Sequence, residues 1–208
     1  RVGMTSFTHF KGWERFKNEY GVLENNDTKG LFINVRAGTK HLAIRNNVVR
    51  KDNFWGIQLE NIEKGVDHVR KTEDVRIERN TVVSMGTDGT FLRMHGNAKD
   101  VVVKNNLYVA PNLKLDGSEA YAVHVTGSMN SFREISGNVW PALGGSAKQD
   151  GLNYVGPEPV NAGGFQNGTE WERLAQVKND LYQNVKLDKT YQAKIGTAKV
   201  GSSLQKAA

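Results

Sequence analysis

A short pattern that recurs four times constrains this chain more than any other feature. It consists of an apolar residue, two variable residues, Asn, a variable residue and then often an apolar residue. The four copies are IRNNVV at 44–49, IERNTV at 77–82, VKNNLY at 103–108 and ISGNVW at 135–140. Their Asn residues, Asn47, Asn80, Asn106 and Asn138, are 33, 26 and 32 positions apart. Such a repeat is typical of a solenoid, in which each unit buries its apolar side only by stacking on its neighbours.

A second short run of alternating polarity lies upstream of each Asn motif. The four runs are Phe32–Arg36, Gly56–Glu60, Phe91–His95 and Ala122–Thr126. They are short and rich in apolar residues at every second position, which is the period of a strand and not of a helix. Each repeat therefore reads as strand, turn, strand, Asn turn, strand and loop, with the unequal repeat lengths absorbed by the loops.

The recurring Asn has a physical role in such a solenoid. A buried turn leaves backbone N–H and C=O groups without partners, and Asn carries both a donor and an acceptor while tolerating left-handed geometry. Stacked amides can also hydrogen-bond along the axis, as in Asn ladders of other stacked sheets. The alternative is four unrelated hairpin turns, but the Asn-Gly pairs that hairpins prefer are missing at these positions.

The phrases IRNNVV, IERNTVV, VKNNLYV and ISGNVW resemble the repeats of the pectate-lyase-like superfamily. The resemblance covers roughly residues 30–143. It implies an all-β fold, a right-handed single-stranded parallel β-helix, with the Asn ladder in the turn between the second and third sheets. The runs ending at Arg36, Glu60, His95 and Thr126 then belong to the first sheet. The superfamily includes lyases, hydrolases, epimerases, phage tailspikes and inactive proteins, so fold analogy does not decide the function.

The sequence also predicts how the chain is divided. Residues 1–143 read as β-helix coils, expected to be the C-terminal part of a longer solenoid whose upstream coils, from the same protein or another chain, are a partner. Residues 144–208 read as an irregular segment packing on the last coils. Within it, Thr169 and Glu172 have capping-box spacing and predict a short helix over 171–178. Val185–Leu187 and the stretch 191–200 are expected to lie back on the solenoid.

Composition excludes several classes of partner. Hydrophobic residues make up 38% and charged residues 24% of the 208, and no apolar stretch approaches a membrane span. The net charge is +6, but the 28 basic residues are spread among 22 acidic ones, without the basic stripe of a nucleic-acid binder. We therefore expect neither membrane nor nucleic acid as a partner. The mild positive charge favours an acidic polysaccharide only weakly, and the family suggests a secreted, periplasmic or cell-surface location.

Candidate site residues are the outward ones of the first sheet. Because strand side chains alternate between faces, the inward residues are Ile33, Val35, Ile57, Leu59, Leu92, Met94, Val123 and Val125. The outward rows are then Asn34, Gln58, Arg93 and His124, flanked by Arg36, Glu60, His95 and Thr126. Neighbouring coils are about 4.8 Å apart, which brings Glu60, Arg93, His95 and His124 within reach of one sugar ring.

Two reactions suit these groups. In a β-elimination, Arg93 or Arg36 would bind the uronate carboxylate while His95 or His124 moves the proton. Hydrolysis needs two carboxylates, and only Glu60 lies squarely on the sheet, with Asp88 and Asp52 in nearby loops. We therefore rank lyase or epimerase chemistry above hydrolysis. Trp55 and Tyr121 are candidates for stacking on sugar faces, or else cover the side of the solenoid.

Simpler roles remain open for the same residues. His95 precedes Gly96, and its role can be limited to a hydrogen bond with the turn. Arg36 and Glu60 can form a surface ion pair worth about 0–1 kcal/mol. The carboxylates are too sparse to predict a calcium site, and no other metal or cofactor is expected. Three functions are thus considered: an enzyme acting on an acidic glycan, a non-catalytic carbohydrate-binding β-helix, and a structural module of the tailspike kind.

Overall fold

The chain folds mostly into β-strands in its computed structural model. The structure describes residues 18–30, 32–36, 38–52, 55–60, 72–96, 98–114, 120–142, 153–155, 164–166, 168–187 and 193–194. Strands make up 61% and helix 6% of these residues. No helix within these ranges is long and apolar enough to cross a membrane.

The strands are short, and fifteen of them form five rounds of three. In chain order the nineteen strands of the described residues are β1 (Asn18–Glu24), β2 (Asp27–Lys29), β3 (Ile33–Arg36), β4 (Thr39–Arg45), β5 (Val48–Lys51), β6 (Trp55–Glu60), β7 (Glu73–Glu78), β8 (Thr81–Ser84), β9 (Gly89–His95), β10 (Val101–Lys104), β11 (Leu107–Val109), β12 (Ala120–Val125), β13 (Phe132–Ser136), β14 (Val139–Trp140), β15 (Asn153–Val155), β16 (Gly164–Gln166), β17 (Leu181–Tyr182), β18 (Lys186–Leu187) and β19 (Ala193–Lys194).

From β1 to β15, every third strand joins the same sheet. Sheet A has the order β1-β4-β7-β10-β13, sheet B the order β17-β14-β11-β8-β5-β2, and sheet C the order β16-β15-β12-β9-β6-β3. Neighbouring strands pair in parallel throughout the three sheets except for β16, which is antiparallel to β15. Strands β18 and β19 form a separate antiparallel pair. This arrangement is compatible with a parallel β-solenoid, as the repeat predicts.

The core lies between the three sheets. All eight inward residues predicted for the first sheet, now sheet C, are buried at 2% exposure or less, from Ile33 to Val125. Large aromatic side chains fill the later coils, where Phe91 packs edge-on against Trp140 at 5.4 Å between ring centroids. The inward residues predicted by alternation are therefore in the core, although several outward residues of this sheet are buried as well.

A column of amides runs through the turns that join sheet A to sheet B. Asn47 donates from Nδ2 to Asn80 Oδ1 at 2.9 Å, and Asn80 repeats this contact with Asn106 at 3.1 Å. Asn106 donates in turn to Asn138 at 2.9 Å. The backbone N–H of each of these residues also donates to the next Oδ1, at 2.9 to 3.1 Å. We call this column the Asn ladder.

The left-handed conformation in these turns falls on the residue before each ladder position. Its φ is +55° at Asn46, +53° at Arg79, +53° at Asn105 and +65° at Gly137. The sequence interpretation had attributed this geometry to the ladder asparagine itself. In the structure the two roles are separate: one residue turns the chain, and the next supplies the buried amide.

The ladder is longer than the four motifs predict. Asn26 precedes Asn47 and donates to its Oδ1 from Nδ2 at 2.9 Å, and Asp180 follows Asn138 at 3.1 Å. Asp180 carries a signal in the sequence, since VKNDLY at 177–182 differs from VKNNLY at 103–108 in one residue. The pattern was missed because Asp stands in place of Asn and because 42 positions separate the last two members.

The C-terminal segment covers the last coils at two places. Helix α1 (Gly168–Ala175) buries Trp171 completely in the main core. It begins before the predicted span and ends at Ala175, so Thr169 lies inside the helix and not at its N-cap. Val185 and Leu187 pack on a second apolar cluster on sheet B, formed by Val83, Leu107, Val109 and Val139. Of the stretch 191–200, only 193–194 falls within the described residues.

Candidate functional site

The polar residues predicted for the first sheet stand side by side on sheet C. Asn34 pairs with Gln58, Gln58 with Arg93, and Arg93 with His124 in the strand register. A second row pairs Arg36 with Glu60 and Glu60 with His95. The backbone position of Arg36 is described, whereas its side chain lies outside the described residues. We call the side of these strands that carries the two rows the outer face of sheet C.

Much of the first row is covered. Gln58 is 3% exposed, Arg93 7% and His124 0%. Tyr121 is 1% exposed, and its ring meets the His124 ring edge-on at 5.1 Å. A side chain without exposed surface does not touch a polymer on this face. His124 and Tyr121 are therefore not accessible for the direct contacts with substrate that the sequence predicts. The two side chains are parts of the packing under this face.

Arg93 is held by an aromatic neighbour. Its guanidinium carbon lies 4.3 Å from the centroid of the Trp55 ring, a cation–π geometry. Phe32 approaches the same ring edge-on at 5.8 Å and is 38% exposed. Phe32 was not among the residues predicted to bind substrate, although it opens the run Phe32–Arg36. Its place as the residue before the Ile33–Arg36 strand is the signal that would have found it.

Glu60 and His95 lie at the accessible end of the outer face. Both are partly exposed, and they are register partners on β6 and β9. The turn after His95 is fixed by Gly96, which has a φ of +83° and whose N–H donates to Thr126 Oγ1 at 3.0 Å. Adjacent strands are about 4.8 Å apart, so a carboxylate and an imidazole project next to each other here. Glu60 and His95 are the two predicted catalytic residues that this face leaves partly exposed.

The structure does not bring the loop carboxylates to Glu60. Asp88 immediately precedes β9, whereas His95, the register partner of Glu60, ends it. Seven residues of extended chain span about 23 Å. Asp52 lies in the turn before β6, at that same far end. Paired carboxylates of glycosidases are roughly 5 to 9.5 Å apart, so neither residue completes such a pair with Glu60.

A separate polar column lies on sheet A. The rings of Tyr20 and His41 are stacked with centroids 4.7 Å apart and planes 13° from parallel. His41 Nδ1 is 3.0 Å from Asp74 Oδ2, and this hydrogen bond is the main reason that the pKa of Asp74 is lowered. All three residues have positive φ, so each coil bulges at the same point. The strand pattern gave no sign of these bulges.

No group of three or more His, Cys, Asp or Glu residues in the described part of the chain is arranged to hold a metal ion. In comparisons with protein-family models, curated proteins and solved structures, nothing matched this chain.

Proposed function

We propose that this chain is part of a right-handed, pectate-lyase-like β-helix that binds an acidic polysaccharide along the outer face of sheet C. The observation that carries the proposal is the pairing of Glu60 with His95 at the accessible end of a polar face. The aromatic residues Trp55 and Phe32 stand at the other end of the same strands. Trp55 and Glu60 are five residue steps apart along β6, about 16 Å, a span that accommodates several sugar units.

The reaction that suits the pair is proton abstraction from C5 of a uronic acid. His95 would take the proton, with Glu60 beside it to favour the imidazolium that forms. In a lyase the C5–H electron pair becomes the C4–C5 double bond and the C4–O bond breaks, with a proton going to the leaving oxygen. In an epimerase the proton returns to the opposite face of C5. Arg36, the register neighbour of Glu60, would bind the uronate carboxylate.

The burial of two candidate residues favours a second function. Arg93 stacks on Trp55, and His124 is enclosed, so two of the four predicted catalytic residues contribute to the shape of the face and not to its exposed chemistry. A face of this kind binds sugar without transforming it. The second candidate is therefore a non-catalytic carbohydrate-binding β-helix that uses the same surface.

An elimination assay separates the two functions. The chain would be incubated with polygalacturonate, alginate and hyaluronate, and the ultraviolet absorbance of unsaturated uronate would be followed, with His95→Ala and Glu60→Gln beside the wild type. A rise in absorbance that both variants lose supports the lyase. Binding of a glycan without any rise, and without epimerised product by proton NMR, supports the binding module. If the chain neither binds any of these glycans nor yields a product, both functions are refuted.

A further inference from the structure

A carboxylate on sheet A draws three nitrogen-bearing side chains to one place. Asp74 Oδ1 lies 3.5 Å from Arg133 Nη2 and 3.8 Å from Arg76 Nε, while its Oδ2 lies 3.0 Å from His41 Nδ1. The three partners come from β13, β7 and β4, so three coils contribute. We call His41, Asp74, Arg76 and Arg133 the Asp74 cluster.

Irregular backbone positions bring these side chains together. His41 and Asp74 have φ angles of +53° and +49° although both lie within strands. The register of β13 shifts between Val101 and Val102 of β10, which leaves Arg133 as an extra residue in a β-bulge. Bulges redirect side chains and are frequent beside functional sites, and left-handed residues other than glycine gather at ligand sites. Three strands are thus distorted around one carboxylate.

The Asp74 cluster has more positive charge than its carboxylate balances. Three other cations of sheet A each have a carboxylate of their own, namely Arg45 with Glu24 at 2.6 Å, Lys40 with Glu73 at 2.7 Å and Lys104 with Glu134 at 2.8 Å. Arg76 and Arg133 instead share Asp74, and both lie farther from it than the roughly 2.7 to 2.9 Å of a charge-assisted hydrogen bond. One negative charge therefore faces two guanidinium groups, with the imidazole of His41 beside them.

Both guanidinium groups also remain accessible to a ligand. The side chains of Arg76 and Arg133 are 54% and 44% exposed, and a guanidinium group carries more N–H donors than one carboxylate oxygen can accept. Asp100 adds a further carboxylate near Asp74, but Lys99 Nζ lies 4.0 Å from it. The two arginines therefore present donors to solvent from two different strands, side by side.

Asp74 remains ionised and holds the two arginines in place. The hydrogen bond with His41 is the main reason that its pKa is lowered, and the charges of Arg76 and Arg133 lower it further. A ligand that approaches from solvent thus meets two guanidinium groups that are already positioned next to each other, so less side-chain freedom is lost on binding.

We propose that the Asp74 cluster binds a tetrahedral oxyanion, the group carried by a phosphate or sulfate ester. Its oxygens accept hydrogen bonds from Arg76 and Arg133 together, since guanidinium N–H groups match the geometry of such oxygens. Donors that come from two strands suit an anion whose oxygens point in several directions better than a planar carboxylate. The site lies on another sheet than the outer face of sheet C, and the proposal does not depend on the function proposed for that face.

Calorimetric titration of the full chain at constant ionic strength tests this proposal, with inorganic phosphate, inorganic sulfate and acetate as separate probes. Arg76→Gln and Arg133→Gln are compared with Arg45→Gln, which removes the same charge from the same sheet but at an arginine that has Glu24 as its partner. We expect each cluster variant to weaken binding of the tetrahedral anion by roughly tenfold, with Arg45→Gln close to the wild type. The tighter of phosphate and sulfate identifies the kind of ester, and acetate should bind much more weakly.

Three results would overturn the proposal. One is a wild-type chain that binds neither phosphate nor sulfate. Another is an equal loss in Arg133→Gln and Arg45→Gln, which would assign the binding to the net charge of +6 and not to the Asp74 cluster. The last is acetate that binds as tightly as the tetrahedral anions, which would make the cluster a carboxylate site.

Discussion

Asn138 gives two hydrogen bonds to one oxygen of Asp180, from its backbone N–H at 2.7 Å and from Nδ2 at 3.1 Å. The other carboxylate oxygen accepts from Trp140 Nε1 at 2.8 Å. A carboxylate therefore occupies a position at which the preceding five ladder members carry an amide. Burial raises the pKa of Asp180 to about 6, against the opposing effect of these hydrogen bonds, and the charge of Glu172 on α1 adds to the rise.

Replacing Asp180 by Asn is expected to flatten the dependence of stability on pH. Because the pKa in the folded state lies above the unfolded value, Asp180 stabilises the fold at low pH, and this contribution is lost as the pH rises through about 6. The loss between pH 4 and pH 7 is on the order of 2 to 3 kcal/mol. Urea unfolding at several pH values measures it.

The matched control for that series is Asp27→Asn, at an exposed carboxylate that pairs with Arg50. We expect this variant to keep the slope of the wild type in the same pH range. An Asp180→Asn protein whose free energy of unfolding falls as steeply as that of the wild type would contradict the assignment.

Removing an internal ladder amide should be far more damaging than changing the residue before it. Asn106 is fully buried, accepts from Asn80 and donates to Ile77 O at 2.8 Å as well as to Asn138. Asn106→Leu leaves several buried polar groups unpaired, and we expect a loss of about 3 to 5 kcal/mol. Asn105→Gly, at a φ of +53°, should change stability by less than about 1 kcal/mol. Chemical denaturation compares the two, and similar losses would show that the ladder contributes little.

Gly137 is expected to be sensitive for two separable reasons. Its φ is +65°, and a Cβ at this position would overlap Asn105 Oδ1 on the neighbouring coil. Gly137→Ala should therefore lower the free energy of unfolding by about 1 to 3 kcal/mol. In the double variant with Asn105→Gly the overlap is removed and only the backbone strain remains. Thermal unfolding should show partial rescue, whereas strictly additive losses would count against the contact.

The repeat predicts much of this architecture because the same physical requirement recurs in every coil. The buried turn at Asn47 needs an amide, and the turns at Asn80, Asn106 and Asn138 need one as well. The same Asn motif therefore occurs four times in the sequence. Alternation likewise predicts the inward side of sheet C, since Ile57 and Leu59 have to face the core. The motif does not predict Asp180 as a ladder member, because a carboxylate replaces the amide there and a long connection precedes it.

The candidate site was less predictable than the fold. Periodicity assigns Arg93 and His124 to the outward side, and both are there in register, but it carries no information about what covers an outward residue. Arg93 is 7% exposed and His124 0% exposed, and the alternation of the strands gives neither value. The contact of Arg93 with Trp55 is likewise absent from the alternation, since the two residues lie on neighbouring strands and are not register partners.

The two candidate histidines should differ in what their loss affects. His124 is fully buried beside Tyr121, so His124→Ala is expected to cost about 1 to 3 kcal/mol of stability. His95 is partly exposed at a strand end, and His95→Ala should change stability by less than about 0.5 kcal/mol. Melting temperatures of the two variants provide the comparison. A large loss in His95→Ala would mean that this histidine is structural, and its use as a catalytic probe would fail.

The central claim is that an acidic glycan lies on the outer face of sheet C, and calorimetric titration tests it most directly. An acidic oligosaccharide would be titrated into the wild type, into Trp55→Ala and into Tyr20→Ala, which removes an exposed aromatic ring on sheet A. We expect Trp55→Ala to weaken binding by roughly tenfold or more, as the loss of an aromatic contact predicts, with Tyr20→Ala unchanged. Wild-type affinity in Trp55→Ala together with a loss in Tyr20→Ala would place the glycan on the other sheet and contradict the account.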